Sequence, residues 1–221
     1  MRKNRIENKD EIWNGFSKEE ELFNSLTHIV GFLFSIAALV VLVVLASLEG
    51  NVWKIVSFSI YGATLIILYG ISTLYHSVKG RRKKLFQRLD HISIYLLIAG
   101  SYTPFTLVSM RGGWGWSIFG VIWGLAIFGI VQEFFVKNPK RILSLIIYIV
   151  MGWLILVAVV PLIKSLPAGG LAWLVIGGLF YTGGVYFFIN DEKIRHFHGI
   201  WHLFVMAGSI SHFFTIAFYV L

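Results

Sequence analysis

Residues 195–220 read Arg195-His196-Phe197-His198-Gly199-Ile200-Trp201-His202-Leu-Phe-Val-Met-Ala-Gly-Ser-Ile-Ser-His212-Phe-Phe-Thr-Ile-Ala-Phe-Tyr-Val220. From Gly199 onward this is an apolar run long enough to cross a bilayer as a helix, because about 20 residues span the hydrocarbon core. Six earlier runs have the same character, at 22–48, 52–77, 88–109, 114–135, 141–163 and 170–189. The composition agrees, with 57% hydrophobic and only 14% charged residues, a balance foreign to a soluble domain of this size. The expected fold class is therefore an all-α integral membrane protein, a seven-transmembrane helix bundle occupying residues 22–221. A polar tail, residues 1–21, precedes it. The run after the tail is too long for the apolar region of a signal peptide.

Basic residues give the expected orientation. With the N-terminus inside, the inner segments carry 16 of the 19 Lys and Arg residues and the outer segments carry Lys54, Arg111 and Lys164. This positive-inside bias puts the N-terminus in the cytoplasm and the C-terminus outside. The net charge of +8 is thus topological and also suits anionic headgroups, so no nucleic-acid partner is expected. Turn residues separate the runs: Glu49-Gly50-Asn51, Lys79 to Lys84, Arg111-Gly112-Gly113, Lys137-Asn138-Pro139-Lys140, Pro167 to Gly170 and Asn190 to Lys193. Pro104 is expected to kink the third span. Gly178 and Thr182 offer a small-residue face on the sixth, with Gly183 and Gly184 beside it. Trp53, Tyr75, Trp114, Trp116, Trp173 and Tyr219 read as an interfacial aromatic belt.

The polar residues fall on one side of this topology. His28 opens span 1, Ser72 and His76 close span 2, Asp90 and His91 open span 3, and His196, His198 and His202 open span 7, all at the inner end. Only His212 lies deeper. His198 and His202 are four apart, so a helix projects them from one face. Cysteine is absent, so a soft-metal site must rest on imidazole. His76, His198 and His202 supply the three protein ligands of a catalytic zinc with an open position. Such a metal lowers the pKa of its water towards roughly 7. Asp90 would shuttle a proton. Ser72, one turn before His76, would bond the water or polarise a carbonyl. Ligand type alone leaves iron and copper open. Blander readings stand beside these. Asp90 also suits an N-cap of span 3 or a partner of Arg88, and Ser72 a hydroxyl bonded one turn back. His198 and His202 also suit an interfacial pair solvated by water and headgroups. His196 suits a headgroup contact, and His91 either a donor to the site or an interfacial residue.

The joint pattern Ser72-x-x-x-His76, Asp90, His198-x-x-x-His202 resembles the haemolysin III family, the bacterial branch of the progestin and adiponectin receptor superfamily, itself similar to the alkaline ceramidases. The stretches Glu21 to Gly31, Gln87-Arg88-Leu89-Asp90-His91 and Gly100-Ser101-Tyr102-Thr103-Pro104 resemble its first-span and third-span motifs. The resemblance implies seven spans, a cytoplasmic N-terminus, a bacterial cell membrane, and Zn2+ on His76, His198 and His202 with Ser72 and Asp90 beside it. Two functions follow. One is a membrane-embedded zinc hydrolase acting on the amide or ester of an acyl-lipid, with its site near the cytoplasmic leaflet. The other is a non-enzymatic membrane sensor or haemolysin-like pore-former in which zinc clips helices together. A G-protein-coupled receptor would have its N-terminus outside, and a retinal protein would need a lysine in the last span, where residues 199–221 have none.

Overall fold

The computed structural model describes residues 12–13, 16–135 and 142–221. The expected loop at residues 137–140 and the basic residues of the extreme N-terminus lie outside these. A two-residue antiparallel pair, β1 (Ile12–Trp13) and β2 (Phe16–Ser17), leads into helix α1 (Lys18–Leu48). The helix begins four residues before the expected first span, and sequence explains why. Ser17 is an N-cap in extended conformation whose Oγ accepts from Glu20 N at 3.2 Å, while Glu20 Oε2 accepts from Ser17 N at 3.0 Å. This capping box, with Glu19, Glu20 and Glu21 against the positive end of the helix dipole, starts the helix early.

Helix α2 (Val52–Ser77) starts at Asn51, whose side chain accepts from Trp53 N and Lys54 N. Helix α3 (Gly80–Pro104) continues past its proline as a π-helical turn, Phe105–Ser109, so the irregularity expected at Pro104 takes the form of a change in winding. Helix α4 (Gly113–Phe135) follows. The fifth span is broken: α5 (Ile142–Trp153), a 3-10 segment Leu154–Ala158, then α6 (Val159–Ser165). Tyr102 of α3 makes the break tolerable in lipid. Its hydroxyl accepts from Ile155 N at 2.9 Å and faces the carbonyls of Met151 and Gly152 at 2.8 and 2.9 Å, meeting backbone groups that the interruption frees. Helices α7 (Ala168–Ile189) and α8 (Phe197–Tyr219) complete seven helical spans long and apolar enough to cross a membrane.

The bundle is apolar outside and mixed inside. Val40, Val44, Ile127, Phe128 and Phe218 point outward, while Thr64, Thr103, Thr106 and Thr215 are buried. Most of these hydroxyls bond a carbonyl of their own helix, such as Thr64 Oγ1 to Tyr61 O at 2.8 Å. Small residues set the close approaches. On α7 they are Gly177 and Gly184, buried against α8, rather than the expected face of Gly178 and Thr182. Those two face the fifth span, where Trp153 Nε1 donates to Thr182 Oγ1 at 3.1 Å.

Candidate metal centre

The starts of α1 and α8, the end of α2 and the start of α3 meet at one end of the bundle. There His76, His198 and His202 bring a ligand nitrogen each to within 4.8 Å of one another. All three are buried, with His202 fully so. The two α8 residues face one way because they are four apart, and α2 delivers His76 opposite them.

Hydrogen bonds fix how each ring is presented. His76 Nδ1 lies 2.6 Å from Glu21 Oε2, and His198 Nδ1 lies 2.7 Å from Asp191 Oδ2. Both carboxylates are acceptors, so both rings carry the proton on Nδ1. Thr27 Oγ1 donates to Asn24 O at 2.8 Å, which leaves its lone pairs for His202 Nδ1 at 3.2 Å. The third ring is therefore held in the same tautomer. Each Nε2 then presents a lone pair, and all three Nε2 atoms are buried with no hydrogen-bond partner. Buried polar atoms left unmet are costly. Three converging imidazole lone pairs, each backed by an acceptor on the opposite nitrogen, are what a metal-binding site requires. This group could hold a metal ion, and among the described residues no fourth His, Asp or Glu joins it.

Sequence reasoning missed these supporting groups. Glu21 falls in the region assigned to the tail, yet it is 4% exposed and its second oxygen pairs with Lys83 Nζ at 2.7 Å. Lys83, counted among the loop cations, is buried, donates to Tyr75 O at 3.0 Å and lies 4.7 Å above the Tyr75 ring. Tyr75 is accordingly not an interfacial residue: it is buried, with its ring 4.4 Å from that of His76. Phe16 covers the centre from the end of the bundle, its ring 4.7 Å from His198 and 6.4 Å from His76. Glu20 joins α1 to the start of α8 by accepting from His196 N at 3.0 Å, and Glu19 pairs with Arg195. His196, in left-handed conformation at φ 64°, thus engages α1 through its backbone, and its ring meets Phe23 edge-on.

The remaining candidates surround the three histidines. Ser72 is one turn before His76, fully buried, and its hydroxyl has no hydrogen-bond partner, so the expected bond one turn back is not made. Asp90 is buried ten residues inside α3, which excludes the N-cap reading, because the helix starts at Gly80 after Lys79. Asp90 lines a largely apolar cavity of about 360 Å³ enclosed by α3, the fifth span, α7 and α8. His28 lines the same cavity and its ring lies 3.7 Å from that of His202, so the cavity adjoins the histidine centre. His91 is buried, with Nδ1 3.9 Å from Glu133 Oε2.

Comparison with known proteins places this architecture. Residues 16–213 match the family described as Haemolysin-III related. The chain is 46% identical to Hemolysin-3 of Bacillus cereus, over 92% of this chain and 93% of that protein. It is 43% identical to the Hemolysin-3 homolog of Bacillus subtilis (strain 168), over 92% and 96%. A more distant similarity, at 31%, joins it to the Monocyte to macrophage differentiation factor of Homo sapiens, over 89% of this chain and 83% of that protein. With seven spans, the resemblance of its motifs and a match along nearly its whole length, the chain is a multi-pass membrane protein that belongs to the haemolysin-III-related family.

Proposed function

We propose that this protein is a membrane-embedded hydrolase of an acyl-lipid amide or ester, with zinc held by His76, His198 and His202 near the cytoplasmic leaflet. The observation that carries this reading is the incomplete ligand set: three imidazoles converge, and no other ionisable ligand among the described residues fills a fourth position. Zinc, when bound there, would supply Lewis acidity and activate a water. The donor set suits it, since the rings are held as neutral Nδ1–H tautomers and thiolates are absent.

The chain's own residues do the rest. The apolar cavity takes the acyl chain and brings the carbonyl to its polar end. Asp90, on the wall of that cavity, accepts the proton of the attacking water and returns it to the leaving amine or alcohol. The Ser72 hydroxyl, free of any protein partner, donates to the carbonyl oxygen as it gains charge. The distribution of Lys and Arg puts the N-terminus in the cytoplasm. The name of the Bacillus relatives, Hemolysin-3, favours a second reading, in which the protein acts on membranes without turnover and the metal only joins helices.

One experiment separates them. In the hydrolase reading Asp90→Asn keeps zinc content and melting temperature and loses release of fatty acid by about 10²–10⁴-fold. Ser72→Ala loses less, because water partly replaces the hydroxyl. In the second reading no form of the protein releases fatty acid, and Asp90→Asn leaves metal retention and melting unchanged, because Asp90 is not among the converging ligands. A wild-type protein that releases no fatty acid from a broad panel of acyl-lipids rules out the hydrolase.

A further inference from the structure

The cavity carries two imidazoles that the chemistry above leaves unused, His28 against the histidine centre and His212 far from it. His212 lies on α8 ten residues beyond His202, about 15 Å further along the helix axis. It lines the same cavity of about 360 Å³. Both ring nitrogens are buried, and the Leu174 backbone beside the ring can meet only one of them. The neighbouring hydroxyls on that wall are committed elsewhere. Tyr181 Oη is 2.8 Å from Ser209 Oγ, and Thr182 Oγ1 donates to Gly178 O at 2.8 Å.

The fold makes room for this imidazole. A Cβ on Gly177 would stand 2.6 Å from His212 Nε2, so α7 keeps a glycine opposite the ring. An apolar side chain in that place would pack without any unmet polar atom. Ionisable residues at membrane depth face cavities and mark sites of function. A neutral imidazole offers one donor and one acceptor, and a hydroxyl is the small group that meets either.

We propose that His212 recognises a hydrogen-bonding group carried partway along an apolar chain, so that the cavity selects a lipid whose acyl chain bears a hydroxyl about 15 Å from the three-histidine centre. The inference rests on the cavity being the acyl-chain site. A plain methylene chain fills the same apolar walls and leaves one nitrogen of His212 unmet, so the preference is one of degree. One buried hydrogen bond corresponds to about fivefold to tenfold in affinity.

The test is displacement of a fluorescent fatty acid from the full-length zinc-loaded protein in nanodiscs. The competitors are octadecanoic acid and 12-hydroxyoctadecanoic acid, whose hydroxyl falls near the required distance from the carboxyl in an extended chain. The hydroxylated acid should displace the probe at about fivefold to tenfold lower concentration. His212→Leu should abolish that difference while still binding octadecanoic acid, and His212→Gln should restore part of it; zinc content and melting temperature report that both variants are folded. Equal displacement by the two acids in the wild type overturns the proposal, as does a preference that survives in His212→Leu. Displacement by neither acid overturns it as well. The hydrolase reading is judged separately, by fatty-acid release with and without Asp90, so the two fail independently.

Discussion

Replacing Glu21 by Gln disturbs a buried row of three groups, His76, Glu21 and Lys83, whose side chains are 0%, 4% and 3% exposed. The carboxylate serves both neighbours, one oxygen 2.6 Å from His76 Nδ1 and the other 2.7 Å from Lys83 Nζ. A carboxamide has one acceptor and one donor end, so it satisfies one neighbour and faces the other with N–H. Two losses follow. Removing the acceptor behind a metal-binding imidazole typically costs 10–100-fold in affinity, or about 1.4–2.7 kcal/mol. Lys83 loses the carboxylate 2.7 Å from its Nζ, and breaking a buried ion pair by removing one partner costs about 3–5 kcal/mol of stability. The double variant Glu21→Gln with Lys83→Met separates the two. With no buried ammonium left, stability should return close to that of the native chain, while zinc affinity should stay low. Competition with a chromophoric chelator measures the affinity, and melting of the metal-free protein in mild detergent measures the stability. Full recovery of zinc affinity in the double variant would refute the reasoning, because the carboxylate would then act through Lys83 and not on His76.

Three further outcomes are expected. Purified protein should carry about one zinc per chain by elemental analysis, and His198→Ala and His202→Ala should each lose most of it; full retention in both removes the assignment. A reporter fused after Leu221 should read as external and one placed at Arg82 as cytoplasmic, following the distribution of Lys and Arg; a cytoplasmic C-terminus contradicts that topology. Phe16→Ala should speed extraction of the metal by a chelator without changing the number bound, since the ring covers His198 and His76; an unchanged rate means the ring is not a seal.

The seven spans were legible because each is a long apolar run, and lipid permits little other than a helix for such a run. The three histidines were legible for a different reason. Two are four apart, and the third ends a span on the same side of the inferred topology. The groups that hold them were not. Glu21 and Lys83 look like ordinary charges at the edges of spans, and only their pairing across the bundle allows both to be buried. Asp191 stands in a turn outside the helix that carries the histidine it supports, so helical periodicity does not link the two. The break in the fifth span is equally silent, since Leu154–Ala158 reads Leu-Ile-Leu-Val-Ala and the hydroxyl that stabilises it belongs to Tyr102, about 50 residues earlier. Pattern reports which face of a helix is apolar, but not which partner arrives from another helix.

Glu20 fastens Ser17 and His196, residues near opposite ends of the chain, and that clasp has a consequence for biosynthesis. A ribosome delivers Glu21, His76 and Lys83 early, so the ion pair between α1 and the first turn of α3 can form while most of the chain is unmade. His198 and His202 emerge last. A nascent chain interrupted anywhere before them keeps its first helices and its buried pair but has a single imidazole at the centre. Capture of a metal by the three imidazoles would thereby be the closing event of assembly, open only to a chain in which α8 has reached its place beside α1.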